Sequence, residues 1–274
     1  MKATMAATPI SATRYGAIQG LLGRVVHTIG LQIVGRDLPP GTLLPNETDW
    51  CEQLGVSRTV LREATKILIS KGLLGSRPRT GTRVRPPEDW NLLDPDVLGW
   101  QMSATPHDRF VRELFELRRV VEPAVAALAA ARASDRDVHE MESAYREMEQ
   151  AVDDSQRFVV PDQRFHRAIL TAAGNDMLRS LGGAIGTALT LSLHLSLETP
   201  RGQRHSLPLH HAVLDAVRDR APERARQAME RLIDDAESDV WRALGIRPQA
   251  GQASAKRRRS REGKERSAIR RSPR

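Results

Sequence analysis

Cysteine is almost absent from this sequence. Cys51 is the one example in 274 residues, so no internal disulfide can form. Together with the lack of a secretory leader at the N-terminus, this points to a reducing cytoplasm. Aromatic residues are also scarce, at 4%. The abundant Ala, Leu and Arg favour helix over strand. Long apolar runs are missing as well. The most apolar stretch, Leu181 to Leu197, is interrupted by Thr187, Thr190, Ser192 and His194, so it reads as a buried helix rather than a membrane span. A secreted protein and a membrane protein are therefore both excluded by expectation. What is present, 40% hydrophobic and 28% charged residues, suits a folded chain of one large or two ordinary domains.

The net charge of +8 is unevenly spread. Residues 256–274 carry ten Lys/Arg against two Glu, and residues 1–90 carry twelve basic against seven acidic side chains. Residues 91–255 reverse the balance, with twenty basic and twenty-five acidic. A basic front and a polycationic tail around an acidic middle suggest a nucleic-acid reader joined to something else. In the tail, Lys256 to Arg261 and Arg270-Arg271 suit non-specific phosphate contact, or no specific role at all. Composition predicts disorder for residues 1–10 and 246–274.

Residues 11–86 have the pattern of a winged helix-turn-helix. Ile18, Leu21, Leu22, Val25, Ile29 and Ile33 recur at helical spacing until Pro39-Pro40-Gly41. A short helix follows from Pro45 to Leu54, and Gly55 makes a turn. Ser57 caps a third helix that Gly72 stops. Two short extended pieces then flank Arg77-Pro78-Arg79-Thr80-Gly81 as a hairpin tip. Leu54, Val56, Val60, Leu61, Ala64, Ile67 and Leu68 form the expected core, leaving Arg58, Thr59, Arg62 and Lys66 outward on the third helix. Such a helix presents free N–H groups and side chains to the major groove, where Arg reads guanine. Arg77, Arg79 and Arg83 surround the glycine of the wing.

These residues resemble a known family. Leu38-Pro-Pro-Gly41, Leu44-Pro45, Leu54-Gly-Val-Ser-Arg-Thr-Val-Leu-Arg-Glu-Ala64 and Thr80-Gly-Thr-Arg-Val84 are similar to the DNA-binding domain of GntR-family bacterial transcription factors. The resemblance implies operator contacts by Ser57, Arg58, Thr59, Arg62 and the wing around Gly81, with Arg77 and Arg79 beside it. Thr48 and Asp49 stand where family members often carry Arg, so no base contact is carried over there.

Residues 86–107 hold four prolines and no sustained period, and a linker is expected at residues 87–107. Its tryptophans, Trp90 and Trp100, are expected to pack it onto the helical domain. Residues 108–245 read as helices of 12 to 24 residues, with Ser134, Asp153 and Asn175 near their starts. Helical phase places Arg118 on the face of Leu114, Val121 and Val125. Asp162 and His166 share the face of Phe158, Phe165 and Ile169, and His210 that of Leu214 and Val217. Inward carboxylate, imidazole and guanidinium groups are costly unless paired, metal-bound or facing a polar cavity. They could line a pocket in which Arg118 forks onto an anionic ligand. Bland alternatives remain open: an Asp162–His166 pair within one helix, an Arg118–Glu122 pair one turn apart, a satisfied core His210. His27, His107, His139 and His205 are expected to be solvated, His211 lies on a different face from His210, and His194 sits in the apolar helix.

A second resemblance bears on this choice. Phe115-Glu-Leu-Arg-Arg-Val-Val-Glu-Pro123, Asp162-Gln-Arg-Phe-His166, Ala173-Gly-Asn175 and His210-His-Ala-Val-Leu-Asp-Ala-Val217 resemble the FCD (FadR C-terminal) ligand-binding domain, a bundle of six or seven helices. Many members bind a divalent metal through one Asp and three His, and metal and Arg together hold a carboxylate effector. The resemblance implies Asp162, His166 and His210 as metal ligands. It implies Arg118, Asp162, His166, Asn175 and His210 as the effector site. Leu232 stands where the fourth ligand is expected, and three ligands with effector oxygens, or His194 as substitute, could still hold zinc or a similar ion. Trp90-Asn-Leu-Leu-Asp-Pro-Asp-Val-Leu-Gly-Trp100 resembles the join in repressors of D-galactonate catabolism, which implies a sugar-acid effector.

The expected molecule is thus mostly α, with a winged helix-turn-helix ahead of an all-α bundle. It is expected to be a homodimeric regulator, a repressor by preference, that reads palindromic double-stranded DNA and answers to a small carboxylate. The competing class is a helical metal-dependent hydrolase or isomerase on the same three ligands, for which no further acid/base pair matches in phase.

Overall fold

The structure is a computed structural model that describes residues 20–77, 80–104, 108–183, 185–187, 189 and 202–245. The expected disorder of residues 1–10 and 246–274, together with His107, His194 and Arg79, lies outside the described residues.

Helix α1 (Gly20–Val34) buries Val25, Ile29 and Ile33 of the expected stripe, and Val26 beside them; Leu22 is half-buried, Leu21 at the start of the helix is exposed, and Ile18 lies outside the described residues. Helix α2 (Glu47–Leu54) starts at Asn46, whose side chain accepts from Asp49 N, and ends at Gly55 with φ 64°. Helix α3 (Arg58–Ser70) starts where Ser57 accepts from Val60 N. Its Leu61, Ala64 and Leu68 are buried, and Leu54, Val56, Val60 and Ile67 pack around them. Strands β1 (Leu74–Arg77) and β2 (Gly81–Val84) pair antiparallel, from Leu74 opposite Val84 to Arg77 opposite Gly81. This is a winged helix-turn-helix, in the predicted order.

The segment expected to be a linker is partly helical. Helix α4 (Pro95–Ser103) begins at Asp94, whose carboxylate accepts from Asp96 N and Val97 N, with Pro95 in the first turn. Its apolar residues give no amphipathic stripe because it is enclosed, with Val97, Leu98 and Trp100 all buried. The tryptophans pack onto the winged helix-turn-helix, and not onto the helical half as expected. Trp90, Val97 and Trp100 belong to the same core as α1 and α3. The Trp100 ring fills a notch over Gly30, where a Cβ would stand 2.6 Å from the indole. Trp100 Nε1 donates to His27 Nδ1 at 2.9 Å, so half-buried His27 is engaged rather than solvated. Lys71 Nζ closes the joint, 2.8 Å from Asp94 and 2.7 Å from Asp96. Burial works to lower the Lys71 pKa, but the two carboxylates outweigh it and hold the ammonium above its ordinary value.

In the second half the described residues form helices α5 (Asp108–Arg132), α6 (Asp135–Gln150), α7 (Ser155–Ala172), α8 (Asp176–Ser180), α9 (Gly202–Arg218) and α10 (Pro222–Ala243). Helix α10 lies along α5 and α9, and α6 along α7. Phe115, Met141, Met148, Phe158 and Phe165 fill the interior among many alanines, which let the helices approach closely. Ser134 caps α6 in a capping box with Asp137, and Asp154 caps α7; Asp153, the expected neighbour of that start, instead pairs with Arg204. Of the apolar stretch near residue 185, Ile185 and Leu189 are buried, and residues 190–197 lie outside the described set. Among the described residues no helix is long and apolar enough to cross a membrane.

The Gly30 notch makes a stability prediction. Gly30→Ala gains about 1 kcal/mol of helix propensity but drives a methyl into a rigid ring, so a net loss of about 1–3 kcal/mol is expected. In a Trp100→Ala background the same change becomes neutral or stabilising. Chemical denaturation of the four proteins checks this; simple additivity would show that Trp100 does not pack there.

Candidate functional site

Two sets of side chains stand out, one on each half. On the first, Ser57, Arg58, Thr59, Arg62 and Lys66 are all exposed at or near the start of α3, where the capped N-terminus leaves N–H groups facing outward. Arg58 Nη2 donates to Thr48 Oγ1 at 3.3 Å. Arg62 is gripped by Glu47 of α2, with Nε 2.7 Å from one oxygen and Nη2 3.0 Å from the other. Glu47 was not singled out in the sequence, because fifteen residues separate it from Arg62 and no period links them. On the wing, Arg77 and Gly81 are exposed and adjacent across the hairpin. Gly81 has φ 81°, which a side chain rarely adopts. Arg83 Nη1 donates to Gly41 O, tying the wing back to the loop before α2.

The second set is interior. Helices α5, α7 and α9 bring Arg118, Asp162, His166 and His210 together, each no more than 3% exposed, as helical phase predicts. His210 Nδ1 lies 2.9 Å from Ser206 O, one turn back on α9. Donating there leaves Nε2 as a free lone pair. That atom stands 3.0 Å from Asp162 Oδ1, without the geometry of a hydrogen bond. Phe165 sets its ring edge-on to both imidazoles. The two imidazoles are themselves perpendicular, 5.6 Å apart.

Glu122 is the member that the sequence reading held only as a bland partner for Arg118. It is 3% exposed and bridges two elements. One oxygen meets Arg118 Nε at 2.6 Å, and the other lies 2.9 Å from His166 Nδ1 on α7. Asp162 therefore faces His210, and His166 faces Glu122, so the intrahelical Asp162–His166 pair does not form. Burial works to raise the Glu122 carboxyl, but the Arg118 charge and His166 outweigh it and hold it at about 2. Asn175 does not join this centre. It is an exposed cap, and its side chain accepts from Met177 N and Leu178 N at the start of α8.

The donor set can be tested against a metal on geometry alone. Ligand atoms from Asp162, His166 and His210 lie within 4.8 Å of one another. Metal bonds of about 2.0–2.2 Å put neighbouring ligand atoms roughly 3–3.5 Å apart, the spacing of His210 Nε2 and Asp162 Oδ1. Five buried side-chain polar atoms among the described residues have no hydrogen bond. Two of them, Asp162 Oδ2 and His210 Nε2, belong to this donor set, where a cation would satisfy them. The carboxylate behind His166 and the carbonyl behind His210 are the supports that orient metal-binding imidazoles. Leu232 is buried in the apolar core and brings no fourth nitrogen. A cavity of about 10 Å³, lined by Glu122, Val125, His166, Ile169 and Met229 among others, adjoins the centre.

Comparison with known proteins agrees with both halves. The family model "Bacterial regulatory proteins, gntR family" matches residues 21–84, and the FCD domain model matches residues 113–235. The chain is 35% identical over 214 residues to the galactonate operon transcriptional repressor of Escherichia coli (strain K12), covering 77% of this chain and 92% of that one. It is 26% identical to the HTH-type transcriptional repressor NanR of Salmonella newport, over 76% of this chain and 80% of the relative. A solved structure described as "Lar controls the expression of the Listeria monocytogenes agr system and mediates virulence" shares the fold. Its TM-score is 0.60 at 17% identity, over 83% of this chain and 99% of that one. The exposed α3 and wing and the buried polar centre thus belong to one design: this chain is a member of the GntR family of bacterial transcriptional regulators, with an FCD effector-binding domain.

Proposed function

We propose that this regulator is a repressor that binds a palindromic operator as a homodimer and is released by a small sugar acid held in the helical half. The observation that carries the reading is the buried centre itself. Arg118, Asp162, His166 and His210 are too costly to enclose for packing alone, and they stand behind a DNA-binding head. The name of the galactonate-operon relative supports a sugar acid as the ligand class. Arg58, Thr59 and Arg62 would reach base edges, and Ser57 with Arg77, Arg79 and Gly81 would meet the phosphate backbone. Two heads related by a two-fold axis would read two half-sites.

Asp162, His166 and His210 would hold a divalent ion such as zinc. When bound, it would supply a Lewis acid that draws a carboxylate or hydroxyl oxygen of the effector to the centre. Arg118 would orient the carboxylate by its fork. The ligand can change operator affinity only through different affinities for the DNA-binding and released states, typically a coupling of about 1–3 kcal/mol. In this reading the centre serves binding and not turnover, and the regulator works in the cytoplasm.

Titrating D-galactonate and related sugar acids against the protein–operator complex tests the reading. A sugar acid that weakens operator binding by about 5–150-fold fits the coupling range; no response to any of them would overturn the effector class. Arg58→Ala should weaken binding to a selected operator by roughly 10–100-fold while size-exclusion elution stays unchanged. Retained sequence-specific binding would remove Arg58 from the interface. Asp162→Ala and His210→Ala should each lose divalent metal, measured by elemental analysis after dialysis, and the response to sugar acid, with operator affinity kept within about 3-fold. Full metal content in either variant would show that the ion is not held there.

A further inference from the structure

Helix α2 puts a carboxylate on the face that would meet DNA. Glu47 opens α2, and with its neighbour Thr48 it lies against Arg62 and Arg58 of α3. A free carboxylate there would repel phosphate. Glu47 is not free. Arg62 Nε stands 2.7 Å from its Oε1, and Arg62 Nη2 donates to its Oε2 at 3.0 Å. Oε1 is enclosed, although the Arg62 side chain is 67% exposed. A guanidinium carries five N–H donors. Glu47 covers the Nε side of the fork, and Nη1 has no hydrogen-bond partner among the described residues. Guanine offers N7 and O6 side by side in the major groove, a match for the outer N–H groups of Nη1 and Nη2. Arg58 lies one turn before Arg62 on the same helix, but it is held only by the neutral Thr48 hydroxyl, at 3.3 Å.

We propose that Glu47 is a positioning residue for sequence recognition: it holds the Nε side of Arg62, so that the Nη1–Nη2 end is presented to one guanine of a half-site. This rests on the reading of Arg62 as a base contact and adds the residue that aims it. Glu47 acts through Arg62 and touches no base itself. Two effects follow from the chemistry. An arginine already fixed in one rotamer loses less freedom on meeting the base. The carboxylate also neutralises the charge that Arg62 would otherwise offer to any nearby phosphate, so Arg62 serves specific binding far more than non-specific binding. Without Glu47 the same cation is free to swing to the backbone, where its contact carries no sequence information.

A DNA duplex selected from a random-sequence library by the full-length parent protein supplies the probe. Each guanine is replaced in turn by 7-deazaguanine, which lacks the N7 acceptor and still pairs with cytosine. For the parent, the guanine read by Arg62 should cost about 5–10-fold in affinity when replaced, and Arg62→Ala should lose that sensitivity. Glu47→Ala should reduce it to about 2-fold or less at the same guanine, with the sensitivities that Arg58→Ala removes left intact. Affinity for the selected duplex should fall by about 5–20-fold, while affinity for a scrambled duplex holds or rises because a negative charge has gone. A merely structural role would lower both affinities together and blunt every guanine alike. The double variant Glu47→Ala/Arg62→Ala should match Arg62→Ala within about 2-fold, because the two residues act as one unit. If Glu47→Ala does not fold, Glu47→Gln, which keeps the side-chain volume and drops the charge, carries the same test. Full sensitivity at the Arg62 guanine in the variant that folds overturns the proposal and keeps Arg62 as a base reader; equal losses on both duplexes do the same. An Arg62→Ala protein that retains every guanine sensitivity removes Arg62 from the bases, and the proposal falls with that reading.

Discussion

Five ionisable side chains share the interior of the helical half, and its architecture follows from the need to keep each of them compensated. Arg118, Glu122, Asp162, His166 and His210 are all nearly water-free. An isolated charge in such a place costs several kcal/mol even after relaxation. No single helix could satisfy them. Arg118 and Glu122 come from α5, Asp162 and His166 from α7, and His210 from α9, so the pairs Glu122–His166 and Asp162–His210 cross between helices. Three helices are thereby fixed in phase and depth by polar contacts, while the alanine-rich core supplies the close approach. Each of the three helices also has a proline within two residues of a centre residue: Pro123 beside Glu122, Pro161 beside Asp162, and Pro208 two before His210. Each removes a backbone hydrogen bond from its helix close to the centre.

The joint between the halves follows a different logic. Lys71, held by Asp94 and Asp96, and Trp100, seated on Gly30, make α4 part of the DNA-binding head. This combines a partly buried ion pair with a large apolar ring, so it resists both salt and rotation better than either alone. Helix α4 also packs on the other half, where its Leu98 and Met102 meet Leu114 and Phe110 of α5. Helices α4 and α5 are separated only by residues 104–107.

Much of this was legible in the sequence, and the failures are informative. The winged helix-turn-helix showed itself because its elements are amphipathic and separated by Gly55, Ser57 and Gly72, which carry strong local signals. Inward placement of Arg118, Asp162, His166 and His210 followed from helical phase alone. The helical character of α4 did not, because a helix enclosed between a head and its own flanks has no polar face to set a period. Glu122 and Glu47 were not assigned to their sites because their roles depend on partners far away in the chain, His166 and Arg62. Asn175 was misassigned because an Asn after Gly serves a helix cap as readily as a ligand.

These features together constrain how a signal can travel. Arg118 and Glu122 lie on α5, the helix that follows α4 in the chain, so a carboxylate held at Arg118 would bear on α5 directly. Helix α7 meets that point through Glu122–His166, and α7 meets α9 through Asp162–His210. An ion held by Asp162, His166 and His210 would tie α7 to α9, with α5 attached to α7 through Glu122. The polar centre thus links three helices through side chains, where the alanine-rich core links them through close backbone approach.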